Sequence, residues 1–147
     1  MILGKAARYG LYAAITMAER PDQLTTAGEV SRLFGVSADH VAKVLHKLAR
    51  ARLARSVRGV GGGYQLAVDP RKLTMLEVVE AVDGPLLPEC LGCDRGGGQC
   101  AQAAACAIRR VLEEIGQQAY FTMKSVTIAT LAKGGGEVIP LRRATPR

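Results

Sequence analysis

All four cysteines of this 147-residue chain fall in one stretch, CLGCDRGGGQCAQAAAC, from Cys90 to Cys106. Thiols gathered in a glycine-rich segment point to metal ligation rather than disulfides in a reducing compartment. Their spacing, C-x2-C-x6-C-x5-C, admits two metal chemistries. Cys90 and Cys93 supply the C-x2-C half of a zinc site, but zinc's usual second half is another close pair, and Cys100 and Cys106 are set wider. An iron–sulfur cluster is larger, and Gly92, Gly96, Gly97 and Gly98 leave room for bridging sulfide. A third reading is four free or redox-active thiols. Spacing alone leaves cluster and zinc evenly matched.

A second chemistry is carried by charge. Lys and Arg number 20 against 13 Asp and Glu, a formal charge of +7 that favours an anionic partner, nucleic acid or an acidic membrane surface. The excess is focused: His40 to Val68 holds no carboxylate, yet contains Lys43, Lys47, Arg50, Arg52, Arg55 and Arg58. With 48% hydrophobic and 22% charged residues, no Trp and two Phe, the chain is expected to be globular and mostly helical around an aliphatic, alanine-rich core. No segment approaches the ~20 apolar residues of a membrane helix, so a membrane-spanning protein is not expected.

These residues need elements to position them. The start MILGKAARYGLYAAITMAER imitates a secretory leader, with Lys5 and Arg8 before an apolar run. Leu11, Ile15 and Ala18 nevertheless stand at i, i+4 and i+7, and Glu19-Arg20-Pro21 offers no good cleavage site, so the segment is expected to be a buried helix of a cytoplasmic protein. Thr25-Thr26 can cap a second helix with Ala27, Val30, Leu33 and Phe34 on one side, and Gly35-Val36 breaks it. Ser37 is the expected N-cap of a third helix, with Val41, Val44, Leu45 and Leu48 turned to the core and His40, Lys43, Lys47 and Arg50 turned outward.

Two short helices joined by a glycine turn, the second basic outside, form the helix-turn-helix pattern that lays its second helix in the major groove of DNA. The residues after the third helix sharpen that reading. Leu53 to Val57 and Tyr64 to Val68 alternate around Arg58-Gly59-Val60-Gly61-Gly62-Gly63, which predicts a β-hairpin, or wing, with a basic tip. The glycine run is no nucleotide loop, because no Lys-Ser/Thr pair comes after it. The candidate contacts to double-stranded promoter DNA are Ser37, His40, Lys43 and Lys47 on the helix and Arg58, Gly59 and Tyr64 on the wing. His40 and Lys43 stand where base edges are reached, and Arg58 where a minor groove is entered.

Beyond Asp69-Pro70, Thr74 is expected to cap a short helix through Leu76, Val79 and Val82 that Asp83-Gly84-Pro85 stops. After the cysteines, Ile108, Leu112, Ile115, Ala119, Thr122, Val126 and Ala129 step by fours and threes, the seam of one long helix. At 1.5 Å per residue it would run roughly 39 Å, more than one small domain covers, and a homodimer would cover it. The expected organisation is mainly α with a small β wing. It comprises a winged helix-turn-helix DNA-binding domain (1–84), a cysteine-rich cluster-binding loop (85–106), a dimerisation helix (107–132) and a disordered basic tail (133–147).

The segments KAARYGLYAAITMA, VSADHVAKVLHKL and SVRGVGGGYQLAVDPRKLTMLEVVEAVDGP closely resemble the bacterial winged-helix iron–sulfur regulator family that includes IscR, NsrR, RirA and CymR, over roughly residues 1 to 131. The wing motif RGxGGGY is the specific part. The resemblance implies a dimeric regulator of transcription, a repressor rather than an enzyme, whose operator binding answers to iron, redox state or nitric oxide through an iron–sulfur cluster, [4Fe-4S] or [2Fe-2S]. It maps three cluster cysteines onto Cys93, Cys100 and Cys106 and shifts the balance from zinc to the cluster. Two departures bear on subfamily. The assembly regulator has a histidine where this chain has Arg109, and the nitric oxide sensor an aspartate where this chain has Arg8. The fourth ligand therefore stays open between Cys90, another side chain and a small molecule. The alternatives are a clusterless or zinc-stabilised regulator, or an iron–sulfur carrier or assembly protein, which would need the cysteines but not the wing.

Overall fold

The computed structural model describes residues 3–86 and 107–134. Helix α1 (Lys5–Glu19) is followed by α2 (Ala27–Phe34), α3 (Ala38–Arg50), a hairpin of β1 (Ala54–Val57) and β2 (Gly63–Leu66), α4 (Met75–Asp83), α5 (Ala107–Ser125) and α6 (Ile128–Ala132). This is the mainly helical, small-winged architecture that the sequence pattern predicts. Among the described residues no helix is long and apolar enough to cross a membrane.

The stretch that imitates a leader is the central helix of the fold. It packs against α3, α4 and α6, so it is buried on more than one stripe, at Ala7, Gly10, Leu11, Ala13, Ala14, Thr16 and Met17. Ile15 and Ala18, expected on the buried stripe, are half-buried instead. Small side chains let the neighbours close in: a Cβ on Gly10 would stand 2.9 Å from Val82 Cγ2.

Helix α2 departs from expectation. Thr26 is its N-cap, accepting from the Glu29 amide, whereas Thr25 is buried and bridges Tyr64 of the wing. Of its apolar residues only Val30 is buried; Leu33 and Phe34 are exposed, Phe34 stacking on Tyr12 of α1 at 4.2 Å. Helix α3 follows its pattern, with Val41, Val44, Leu45 and Leu48 all buried. It ends in a Schellman closure, in which Leu53 N–H donates to Leu48 and Arg52 N–H to Ala49 while Arg52 holds φ 61°.

Helix α4 is capped by Thr74 as expected, in a capping box that Glu77 completes, and buries Leu76, Val79 and Val82. The single long helix over 107–132 is not observed. α5 stops at Ser125, roughly 28 Å from its start. Thr127 then caps α6 by accepting from Thr130 N–H. The break is set by tertiary bonds: Met75 N–H donates to Val126 and Ile128 N–H to Leu73, both at 2.8 Å, pinning residues 126–128 against the loop before α4. Met123, Val126 and Ile128 are consequently buried with the winged domain instead of lying on a free seam. The winged domain therefore extends past residue 84 to take in the end of α5 and all of α6. The loop assigned to 85–106 lies outside the described residues from residue 87, and the tail assigned to 133–147 from residue 135.

Candidate nucleic-acid interface

Helices α2 and α3 meet at a turn in which Gly35 adopts the left-handed conformation (φ 62°) and donates to Ser31 O. Because Val41, Val44, Leu45 and Leu48 hold one side of α3 in the core, the other side faces out, carrying His40, Lys43, His46 and Arg50. Ser37 is the N-cap by backbone conformation, but its hydroxyl makes no capping bond. The first turn's amides thus lack a side-chain cap, and Asp39 places a carboxylate in that turn.

Beside α3 stands the wing, in antiparallel register from Ala54 opposite Leu66 to Val57 opposite Gly63. Its tip is a tight turn closed by Gly62 N–H on Gly59 O at 3.0 Å. Gly59 and Gly61 hold φ of 109° and 76°, which disfavour any side chain, and a Cβ on Gly62 would meet Val57 O at 2.3 Å. Gly59, Gly61 and Gly62 are thus required by the turn itself, and the turn presents Arg58 and Val60 to solvent. Tyr64 ties the wing down by exchanging two backbone hydrogen bonds with Thr25, each 2.8 Å.

Two clefts flank α3. One, of about 480 Å³, opens between α1 and the start of α3 and is lined by Lys5, Tyr9, Ser37, His40, Lys43 and Lys47. Tyr9 meets the His40 ring edge-on, at 6.5 Å between centroids. The other, of about 390 Å³, lies between the second half of α3 and the wing, where His46 and Arg50 face Ser56, Arg58 and Tyr64. The structure thus gathers six of the seven predicted contact residues around two clefts, with Gly59 in the wing turn. Lys47 Nζ is engaged inside the protein, donating to Val82 O. Arg55, also in the basic window, is bonded across the hairpin to Gln65.

Sequence reasoning passed over His46, Lys5 and Tyr9. His46 stands three residues after Lys43 and four before Arg50, so helical spacing alone would have found it. Lys5 and Tyr9 join the site only because α1 packs on α3, which no local pattern encodes. Cys90, Cys93, Cys100 and Cys106 lie outside the described residues. Among the described residues no group of three or more His, Cys, Asp or Glu side chains is placed to hold a metal ion.

Residues 3–134 match the model of the Rrf2 family, described as iron-dependent transcriptional regulators. The chain belongs to the Rrf2 family. Family membership makes it a regulator of transcription and not an enzyme. Over 135 residues this Rrf2 chain is 37% identical to a protein named as the HTH-type transcriptional regulator BadM of Rhodopseudomonas palustris (strain ATCC BAA-98 / CGA009), a match spanning 90% of this chain and 82% of that one. Its fold is similar to CymR (YrzC), the global cysteine regulator of B. subtilis, with TM-score 0.70, 20% identity and coverage of 89% and 95% of the two chains. It is similar also to T. potens IscR, with TM-score 0.69, 21% identity and coverage of 92% and 88%. At these identities the structural likeness concerns the winged-helix fold.

Proposed function

We propose that this Rrf2 chain is a cytoplasmic, homodimeric repressor that binds double-stranded promoter DNA through α3 and the wing and whose affinity is modulated by an iron–sulfur cluster. The observation that carries the DNA reading is the carboxylate-free cleft between α3 and the wing, walled by Arg50 and Arg58. With α3 in the major groove, Ser37, His40 and Lys43 are placed toward bases and adjoining phosphates, and Arg58, Gly59 and Tyr64 toward the neighbouring strand. Lys47 contributes through the hold it keeps on α4.

The dimer reading is supported by Val111, Ile115 and Phe121, large apolar residues left exposed on α5 of the single chain. The cluster reading is supported by four cysteines within one short segment and by the family's iron dependence. Cys93, Cys100 and Cys106 are the proposed ligands, with Cys90 as a possible fourth. When bound, such a cluster supplies an iron- and redox-responsive crosslink between thiolates. Cys106 directly precedes α5, so a restraint there bears on the helix proposed to set the separation of the two α3 helices, roughly 34 Å for half-sites one turn apart.

Fluorescence anisotropy of a labelled duplex, measured across salt concentrations with the protein anaerobically reconstituted or stripped of iron, tests this. Salt-sensitive binding that changes on reconstitution is expected. Binding that ignores salt would refute the DNA role, and binding indifferent to iron would refute the cluster's role.

A further inference from the structure

The cleft between α1 and the start of α3 has a volume of about 480 Å³, within the roughly 300–1,000 Å³ that small-molecule sites occupy. Its lining is of two kinds. Ala6, Val44 and the ring of Tyr9 supply apolar surface, Val44 being buried and Ala6 half-buried. Lys5 from α1 and Lys43 from α3 bring two ammonium groups, and no lining residue is a carboxylate. The ion pairs among the described residues, Arg20–Glu29 and Arg71–Asp69, involve neither lysine, and the further cation of the lining, Lys47, donates to Val82 O. Two ammonium groups sharing a concavity repel each other until an anion is seated there. A DNA phosphodiester answers only half of this lining, since it has nothing apolar to lay on Ala6 and Val44. The occupant that answers both halves carries an anionic group on an apolar body, whose burial is favourable by about 25 cal/mol per Å².

We propose that this cleft binds a small organic carboxylate with an apolar body, and that its occupation opposes duplex binding. The two carboxylate oxygens accept from Lys5 and Lys43, one each, and the body lies on Ala6, Val44 and the Tyr9 ring. Lys43 is also a proposed DNA contact, so a ligand that neutralises it withdraws that cation from the duplex. By reciprocity, DNA lowers the affinity for the carboxylate by the same factor. The opposition to DNA rests on the DNA-binding reading; the binding of the carboxylate does not.

The test uses the full chain and 1-naphthoate, whose fluorescence is read without interference because the chain has no Trp. Saturable binding at one site per chain is expected. The neutral 1-naphthamide should bind weaker by about tenfold or more, the loss of charge-assisted hydrogen bonds, and inorganic phosphate should not displace the naphthoate at equal concentration. Ala6→Phe, which fills the cleft, and Lys43→Met, at an exposed position, should each lose the binding, while Lys72→Met, which removes a charge outside the lining, should keep it. An absence of saturable binding, an amide that binds as well as the acid, displacement by phosphate, or undiminished binding in Lys43→Met overturns the site. In a second arm, saturating naphthoate should weaken binding of a labelled duplex to the parent by at least about fivefold, with that ratio falling toward one in Lys5→Met. Duplex affinity indifferent to bound naphthoate overturns the opposition to DNA. A parent that binds naphthoate but no duplex overturns the DNA reading and upholds the carboxylate site.

Discussion

Lys47 Nζ, on α3, donates to the carbonyl oxygen of Val82 at 2.6 Å, at the C-terminal end of α4. A cation there satisfies a carbonyl left open by the helix end and complements the negative end of its dipole. The bond fastens α3 to α4, the last described helix before the cysteine segment. Lys47→Met should keep the packing of the stem and lose the bond, lowering unfolding stability by about 1 kcal/mol. Its salt slope for duplex binding should match the parent's, and a slope lower by one unit would place Lys47 on a phosphate instead.

The wing turn leaves no room at Gly62. In Gly62→Ala the new Cβ meets backbone atoms of Val57 and Gly59, so the tip has to open, at a cost of about 1–3 kcal/mol. Duplex binding should weaken with it. Val60→Ala, at a fully exposed neighbour, should leave the thermal midpoint where it was; a fall equal to that of Gly62→Ala would show that the strain is not confined to Gly62.

Ile115 and Ile128 separate two roles that the sequence pattern merges. Ile128 is completely buried, and Ile128→Ala should cost about 2–5 kcal/mol in chemical denaturation. Ile115 is 44% exposed in the single chain, and Ile115→Asp should yield monomers in sedimentation with the winged domain still folded. A dimer that survives Ile115→Asp removes α5 from the interface.

For the cysteines, anaerobic reconstitution of the four single alanine variants is decisive. Cys93→Ala, Cys100→Ala and Cys106→Ala should each lose the visible absorption of the cluster and shift duplex affinity, whereas Cys90→Ala should retain most of both. Equal loss in Cys90→Ala makes the ligand set four cysteines, and a chromophore that survives in all four variants is not a cluster held by these thiols and overturns the cluster reading.

Arg71 donates to both carboxylate oxygens of Asp69 through its side chain and to one through its amide, which holds the Asp69 carboxyl below the usual carboxylate range. A folded-state carboxyl lowered in this way stabilises the fold above the ordinary carboxylate pKa, about 3.9, and ceases to do so as pH falls through the lowered value. Asp69→Asn should therefore melt below the parent at neutral pH and converge with it in acid. A gap that persists at the lowest pH would mean that shape, not charge, stabilises the turn.

Periodicity carried the parts of the fold that one helix or one turn can determine alone. Val41, Val44, Leu45 and Leu48 repeat at helical spacing, Thr74 precedes a short apolar helix that it caps, and the wing glycines mark a turn in which Gly59 and Gly61 hold positive φ. Such signals are local, because each compares residues within about two turns of one another. The end of α5 is different. Its 4-3 spacing runs on without a flaw through Val126 and Ala129, yet the helix stops because Leu73 and Met75 bond the backbone at residues 126–128. The same limit applies to Thr25, pulled from cap to bridge by Tyr64, and to Lys47, drawn to a carbonyl 35 residues away. The sequence by itself determined α1 to α4 and the hairpin, and that a basic helix is followed along the chain by a glycine wing. Only the tertiary structure decided which cations face one cleft and where the last helix breaks, since both depend on contacts between residues distant along the chain.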